Sequence, residues 1–204
     1  MKNHISKFGV VIAMGVVLVA GIAYPMTRRE TPSATNNTKT TTAADSPQVP
    51  ETTDQTAVAA NTTAQNELLN YLIEEEKLAH DVYTVMYDTY GAKVFGNILQ
   101  SEQTHQGEVL KLLQARNLPD PRVSELGKFN NTELQALYDQ LVAQGKNSAE
   151  DAYKVGVAIE EKDIADITKQ LATATDSDIV ATLEKLRTGS ENHLRAFNRQ
   201  LSRY

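Results

Sequence analysis

One short segment of the sequence has the residue types and spacing of a metal-binding helix. Glu102-Gln-Thr-His105 places a carboxylate and an imidazole three residues apart, which puts both side chains on one face of an α-helix. Carboxylate and imidazole together suit iron, manganese or zinc. Because Glu-x-x-His also occurs by chance on surface helices, the pair gains meaning only if further ligands reach the same place.

Four segments with helical periodicity supply such ligands. Each presents an apolar stripe with steps of three or four residues, as a core-facing helix does. Near its middle, each stripe is interrupted by polar residues: Glu76, Glu102 with His105, Glu160, and Ser190 with His193. Mid-helix positions of antiparallel helices lie at one level, so these side chains are predicted to converge. Carboxylates buried together repel one another unless a cation compensates them, which predicts a metal site.

The helices that must position these residues can be bounded from the sequence. Their ends are marked by Gly91, Pro119, Gly145, the Ser148-x-x-Asp151 pattern, and Asp176, which is expected to cap the last helix. The predicted helices are Asn66–Tyr90, Ala92–Asn117, Thr132–Gln144, Ser148 to about Ala174, and Asp176 to about Ser202. No stretch alternates as a strand does. The sequence therefore predicts an all-α fold of four long helices, with a short helix in the connection between the second and third.

Three motifs resemble those of rubrerythrin-like proteins in the ferritin-like superfamily. They are Glu76-Lys-Leu-Ala79-His-Asp-Val-Tyr83, Phe95-x-x-Ile98-x-x-x-Glu102-x-x-His105 and Ile159-Glu160-Glu161-Lys-Asp163. The resemblance covers about residues 66–204. It implies an up-down four-helix bundle whose long crossover carries the short extra helix. It also implies a di-iron or di-manganese carboxylate site and oxidation of Fe(II) by dioxygen or peroxide.

The last helix departs from the family's pattern. A second Glu-x-x-His would fall on Ser190 and His193, so only His193 carries over. Asp163 shares a helix face with Glu160 and can substitute as a ligand. The predicted ligands of iron or manganese, with zinc less favoured, are Glu76, Glu102, His105, Glu160, His193 and Asp163. An asymmetric dinuclear centre, a mononuclear centre and a vestigial site stay open as alternatives, and no catalytic residue is assigned.

The same residues also have a metal-free interpretation. A buried polar network could fix helix register in a non-catalytic, tethered module used for protein or surface interaction. Such a network needs partners such as Lys77 or Arg195, which the helical phase places elsewhere. Glu74 and Glu75 are expected on a solvated helix face. Three tyrosines are expected to pack in the core and at its rim rather than act as redox relays: Tyr83, Tyr87 and Tyr90.

The first 65 residues differ in character from the rest. Lys2 and Lys7 precede an uncharged, mostly apolar run from Phe8 to Tyr24, which predicts a signal peptide or an N-terminal membrane anchor over residues 1–26. Residues 27–65 hold twelve threonines and few large apolar side chains, which predicts a disordered linker. We therefore expect a bacterial protein exported to the periplasm, the medium or the outer side of the cytoplasmic membrane.

Composition excludes several function classes. The 204 residues include no cysteine, so disulfides, thiolate metal sites and cysteine nucleophiles are excluded. The net charge of −6 argues against a general nucleic-acid binder, which needs a basic surface. No Gly-x-Ser-x-Gly elbow and no phosphate-binding glycine loop occur. The expected partners are metal ions, with membrane contact only through an uncleaved N-terminal segment; a homo-oligomer is compatible with the sequence.

Overall fold

A computed structural model describes the backbone of residues 52–204 and the side chains of residues 62–204. Within that range the chain forms five helices and no strands: α1 Thr52–Tyr90, α2 Lys93–Ala115, α3 Thr132–Gly145, α4 Ala149–Leu171 and α5 Ser177–Leu201. The all-α prediction is confirmed. No helix in the described part of the chain is both apolar enough and long enough to cross a bilayer. The predicted export segment, residues 1–26, lies outside the described residues.

Helix α1 begins earlier than the sequence indicated. It starts at Thr52 rather than Asn66, so residues 52–65 are helical although they were predicted to be linker. These residues include four alanines, the residue type with the highest helix propensity, and the helix already formed downstream needs no new nucleus to extend into them. The remainder of the predicted linker, residues 27–51, lies outside the described residues.

Two of the predicted helix ends have the expected chemistry, and a third does not. Gly91 has a φ of 62°, a left-handed conformation that glycine adopts without strain, and its N–H donates to the Tyr87 carbonyl oxygen at 2.7 Å. Ser148 Oγ accepts a hydrogen bond from the Asp151 N–H at 3.0 Å, as an N-cap does. Asp176 stands at the N-cap position of α5 but makes no side-chain cap hydrogen bond, so that expected cap is wrong.

The interior consists of two apolar clusters along the length of the long helices. The aromatic cluster contains Tyr83, Phe95, Tyr153 and Phe197 among its buried members. The buried members of the aliphatic cluster are leucines, isoleucines and a valine: Leu69, Leu72, Ile73, Val109, Leu112, Leu113, Ile167, Ile179, Leu183 and Leu186. Short α3 contributes Leu134 and Leu141 to the aromatic cluster.

The order of these clusters along the chain gives the direction of each long helix. Helices α1 and α5 contribute to the aliphatic cluster first and the aromatic cluster second, whereas α2 and α4 do so in the reverse order. Thus α1 is antiparallel to α2, α4 is antiparallel to α5, and α2 and α4 run the same way. The connection between α2 and α4, which carries α3, must therefore return the chain along the length of the helices.

That connection is held against α1 by buried charged residues. We call Glu74, Lys77 and Asp81, with the backbone groups they bind in residues 125–131, the crossover clamp. The Lys77 ammonium pairs with Asp81 and donates to the Glu125 carbonyl oxygen at 3.1 Å. It also lies 4.5 Å from the centroid of the Phe129 ring, within the range of a cation–π contact.

The two carboxylates of the crossover clamp accept hydrogen bonds from backbone N–H groups. Glu74 Oε1 accepts from Asn130 N at 2.8 Å, and Asp81 Oδ2 accepts from Gly127 N at 2.8 Å. Glu74 is only 5% exposed, so the expectation that it lies on a solvated face is wrong. The physical reason is that the crossover covers this side of α1 and supplies donors for the carboxylate.

Candidate metal centre

Five of the six predicted ligands come together between the two apolar clusters. They form two overlapping groups: Glu76, Glu102 and His105 in one, and Glu102, Glu160 and His193 in the other. Within each group, the candidate ligand atoms all lie within 4.8 Å of one another, and every member is buried. Glu102 belongs to both groups. We call these five residues the central cluster.

The first group is organised around one imidazole nitrogen. His105 Nδ1 lies 3.2 Å from Glu76 Oε2 and also 3.2 Å from Glu102 Oε2. The other ring nitrogen, Nε2, is 3.4 Å from Ser101 Oγ. Both contacts have hydrogen-bond geometry, so a single N–H at Nδ1 is shared between the two carboxylates.

The second group contains buried polar atoms that have no hydrogen-bond partner. His193 Nδ1 lies 2.9 Å from Glu102 Oε1 and 3.5 Å from Glu160 Oε1. Even so, Glu102 Oε1, Glu160 Oε2 and His193 Nδ1 all lack an aligned hydrogen bond within the described part of the chain. The His193 and His105 rings stack with centroids 5.5 Å apart. Buried polar atoms are rarely left unpaired, so this concentration at one place needs an explanation.

One predicted ligand, Asp163, and the neighbouring Ser190 do not join these groups. Asp163 is 4% exposed but belongs to neither group. Burial, and then the negative charges of Glu75, Glu160 and Glu76, raise the pKa of the Asp163 carboxyl well above its usual value. Ser190 is also buried, and its hydroxyl donates to Leu186 O on its own helix at 3.2 Å. The last helix therefore contributes only His193 to the central cluster.

The central cluster shifts the pKa values of its members in opposite directions. Burial raises the pKa of Glu76 to about 8, against the hydrogen bond from His105, and burial with the Glu102 charge raises that of Glu160 to about 7. Burial also opposes ionisation of Glu102, but the adjacent imidazoles of His105 and His193 lower its pKa to about 2. Burial disfavours the imidazolium forms, yet the carboxylates raise the pKa of His105 to about 10 and that of His193 to about 9. These opposite directions follow from the close approach of carboxylate and imidazole groups in a buried site.

Tyr83 has a role that its sequence position did not reveal. Its ring packs as predicted, with centroids 5.2 Å from Phe197 and 5.9 Å from Phe95. Its hydroxyl, however, donates a 2.6 Å hydrogen bond to Glu160 Oε1. The residue is fully buried, and burial followed by the charges of Glu160 and Glu102 raises the pKa of the phenol well above its usual value. Tyr83 therefore orients a candidate metal ligand.

A second residue missed at the sequence level is Lys162, which neutralises Glu75. The Glu75 carboxylate is 3% exposed and pairs with the Lys162 ammonium, so the expectation of a solvated Glu75 is wrong. Lys162 also donates to Tyr71 Oη at 2.9 Å and to Asp166 Oδ2 at 2.6 Å. Burial would lower the pKa of Lys162, but the Glu75 charge, followed by Tyr71 and Asp166, raises it above its usual value. Glu75 is therefore paired with Lys162 and does not need a cation at the central cluster to compensate its charge.

The donor set fits a transition metal. Carboxylate oxygens and imidazole nitrogens, in groups of three, are ligands that iron, manganese and zinc accept. The unpartnered atoms of Glu102, Glu160 and His193 are all among these donors. The surroundings are apolar on both sides, which raises the cost of leaving the atoms unpaired and would keep water away from a bound ion.

Comparisons with known proteins place the chain in a family. It is 46% identical over 132 residues to the uncharacterized protein MJ0754 of Methanocaldococcus jannaschii, a match that covers 64% of this chain and 71% of that protein. Its fold is similar to the crystal structure of the hypothetical protein MJ0754 from Methanococcus jannaschii, with a TM-score of 0.67 and 40% sequence identity over 79% of this chain and 87% of that chain. Residues 65–204 match the family described as uncharacterized protein domain DUF2202, and the chain belongs to that family.

Proposed function

We propose that residues 66–204 form a ferritin-like domain that binds two divalent ions of iron or manganese and acts outside the cytoplasm. The ferritin-like assignment is supported by the helix directions, since a pair of antiparallel helices joined to a second pair by one long crossover is the arrangement of that superfamily. The export assignment rests on the sequence of residues 1–26, which lie outside the described residues.

The observation that carries the metal proposal is the set of unpaired atoms in the central cluster. Glu102 Oε1, Glu160 Oε2 and His193 Nδ1 are buried and have no hydrogen-bond partner among the described residues. A metal-free network that fixes helix register would gain little from atoms left in this condition, because unpaired buried acceptors destabilise a fold. Ligation to a cation satisfies all three at once.

The charge of the interior supports two ions rather than one. With Glu75 neutralised by Lys162, four buried carboxyl groups remain at this level: Glu76, Glu102, Glu160 and Asp163. Bound cations oppose the burial and carboxylate charges that raise the pKa of Asp163, so with metal present all four groups ionise. Their four negative charges are balanced by two divalent cations while both imidazoles stay neutral, as metal ligation requires. A single divalent ion would leave a buried excess of negative charge or require carboxyl groups to stay protonated.

Each ion would have three protein ligands. Glu76, Glu102 and His105 would hold one, and Glu102, Glu160 and His193 the other, with Glu102 shared. With iron bound, the site would supply the chemistry that the family resemblance implies, in which Fe(II) gives electrons to dioxygen or peroxide. The chain's own contribution is to position the ligands: Tyr83 Oη fixes Glu160 through its 2.6 Å hydrogen bond, and the apolar clusters exclude water.

Metal content measured on matched variants tests the proposal. The untagged full-length chain is loaded with Fe(II) without oxygen, or with Mn(II), desalted and analysed for metal per chain. We expect two equivalents in the wild type and none in Glu102→Gln, because both groups share that carboxylate. The control is Glu108→Gln on the same helix, where the carboxylate pairs with Lys111 and Lys185 outside the central cluster and two equivalents should be retained.

The alternatives give different results in the same experiment. A wild type that binds neither Fe(II) nor Mn(II) contradicts the proposal and favours a metal-free polar network in a tethered module. One equivalent in the wild type contradicts the charge argument and leaves a mononuclear site. Equal metal content in Glu102→Gln and Glu108→Gln would show that binding does not depend on the carboxylate shared by the two groups, which contradicts the proposal.

A further inference from the structure

A glycine on α5 stands directly against the ring of His105. If Gly189 carried a Cβ atom, that atom would lie 2.4 Å from both Cε1 and Nε2 of the imidazole, nearer than side-chain atoms approach one another. Gly189 is in the interior of an α-helix and does not have the left-handed φ that favours glycine. Glycine destabilises a helix interior relative to alanine. The structure offers one reason for a glycine at position 189, which is that the His105 imidazole occupies the space a Cβ atom would need.

The His105 ring is enclosed on its other sides, so it cannot give way without losing contacts. Its Nδ1 lies 3.2 Å from both Glu76 Oε2 and Glu102 Oε2. The His193 ring stacks against it at a centroid distance of 5.5 Å, and only 7% of His105 is exposed. A shift that relieved a methyl group at position 189 would move Nδ1 away from the carboxylates of the first ligand group.

We propose that Gly189 is the positioning residue for His105 and that it controls only the half of the metal centre formed by Glu76, Glu102 and His105. This inference rests on the proposed function. It also offers a physical reason for Ser190, which stands on α5 where the ferritin-like pattern has a glutamate. Ser190, which follows Gly189, is small and bonds to its own helix at Leu186 O, so this part of α5 leaves room for an imidazole from α2.

Two glycine-to-alanine variants separate this effect from a general one. Gly107→Ala on α2 is the matched control, because it is also a helix-interior glycine and a Cβ there meets nothing within 4 Å. Full-length variants are titrated with Zn(II), which is diamagnetic, and the histidine ring resonances are followed by NMR. In Gly107→Ala we expect two equivalents and shifts of both the His105 and His193 rings, as in the wild type. In Gly189→Ala we expect one equivalent, with only the His193 ring shifted.

A double-mutant cycle keeps the test decisive if Gly189→Ala is poorly folded. Removing the ring with His105→Ala removes the clash, so adding Gly189→Ala to that background should no longer lower the denaturation midpoint. If Gly189→Ala lowers the midpoint equally with and without His105, the clash is with another group and the inference is wrong. Two equivalents of Zn(II) in Gly189→Ala, with the His105 ring shifted, overturn this inference alone. No Zn(II), Fe(II) or Mn(II) in the wild type overturns the proposed function and this inference with it.

Discussion

The crossover clamp and the central cluster are both buried, both charged and both built on α1, yet they differ in how their acceptors are satisfied. In the crossover clamp, each carboxylate has identifiable donors: Glu74 accepts from Asn130 N, and Asp81 accepts from Gly127 N and Lys77. In the central cluster, carboxylate and imidazole atoms approach one another closely but several stay unpaired. Burial alone therefore does not distinguish the two regions, whereas the supply of donors does.

Three consecutive glutamates on α1 show the same difference. Glu74 is satisfied by the backbone of the crossover, Glu75 by the ammonium of Lys162, and Glu76 lies beside the His105 imidazole within the central cluster. All three are buried, at 5%, 3% and 2% exposure. A buried acid with its own donors has a structural role, and one that shares a single imidazole with another acid is a candidate ligand. A change of pH, a substitution of Asp81 and substitutions of two tyrosines should each affect the structural acids and the candidate ligands differently.

The largest expected difference is in the response to pH. In the central cluster, the pKa values of His105 and His193 are raised to about 10 and 9, and those of Glu76 and Glu160 to about 8 and 7. Near neutral pH, a metal ion must displace protons from most of these groups. We expect these four groups to release about three protons when both ions bind, which corresponds to a rise in affinity of about thirtyfold per ion for each pH unit.

Titration calorimetry of Mn(II) binding measures this coupling directly. Repeating the titration in buffers with different enthalpies of ionisation gives the number of protons released. The Asp81→Asn variant serves as the control, because the crossover clamp holds no predicted ligand and the slope should be unchanged. Binding without proton release would contradict the metal-free charge state inferred for the central cluster.

The second prediction concerns the stability of the crossover clamp. Burial by itself would raise the pKa of Asp81, but hydrogen bonds from His80, Lys77 and the Gly127 N–H lower it below its usual value. Asp81→Asn removes the counter-ion of buried Lys77 and should lower the free energy of unfolding by about 3 kcal/mol, measured by denaturant titration of the metal-free protein. The metal stoichiometry should stay at two, since neither ligand group includes Asp81.

The sign of the pH dependence provides a check on the cause. The pKa of Asp81 is lower in the folded state than in the unfolded state. Its ionised form therefore contributes fully to the free energy of unfolding above the unfolded-state pKa, and this contribution is lost as pH falls through the folded-state pKa. The difference between wild type and Asp81→Asn should therefore shrink below about pH 4. Asp88→Asn, an exposed position on the same helix, is the matched control and should change stability little. A comparable loss in Asp88→Asn would argue against a specific clamp.

How much of the site the sequence predicted depends on what helical phase can specify. A polar residue in an apolar stripe is predicted to be buried, and one that lies at mid-helix is predicted to share its level with others. Both inferences apply to Glu76, Glu102, Glu160 and His193, which all belong to the central cluster in the structure. Phase and level depend only on a residue's own helix, which is why these positions could be identified from one sequence.

Features that depend on another element's placement were missed. Glu74, Lys77 and Asp81 point away from the main stripe of α1, and only the path of the crossover decides that they are buried. The sequence predicts that a crossover exists but not which side of α1 it covers. The close approach of Gly189 to His105 likewise depends on the distance between α2 and α5. A glycine in a helix interior was the only available signal for it.

The smallest expected effect separates two tyrosines on α1 that make similar hydrogen bonds in different regions. Tyr83 Oη donates to Glu160 Oε1 at 2.6 Å, and Tyr90 Oη donates to the Gly145 carbonyl oxygen at 2.8 Å. Tyr83→Phe and Tyr90→Phe should each lower the free energy of unfolding by about 1 kcal/mol, because each leaves an acceptor without its donor. Only Tyr83→Phe should also weaken Mn(II) binding, by about tenfold, since outer hydrogen bonds orient metal ligands. Removing that donor should raise the pKa of Glu160 further, so the loss of affinity should diminish as the pH is raised. Equal Mn(II) affinity in the two variants would mean that the Tyr83 hydroxyl stabilises the fold without orienting a ligand.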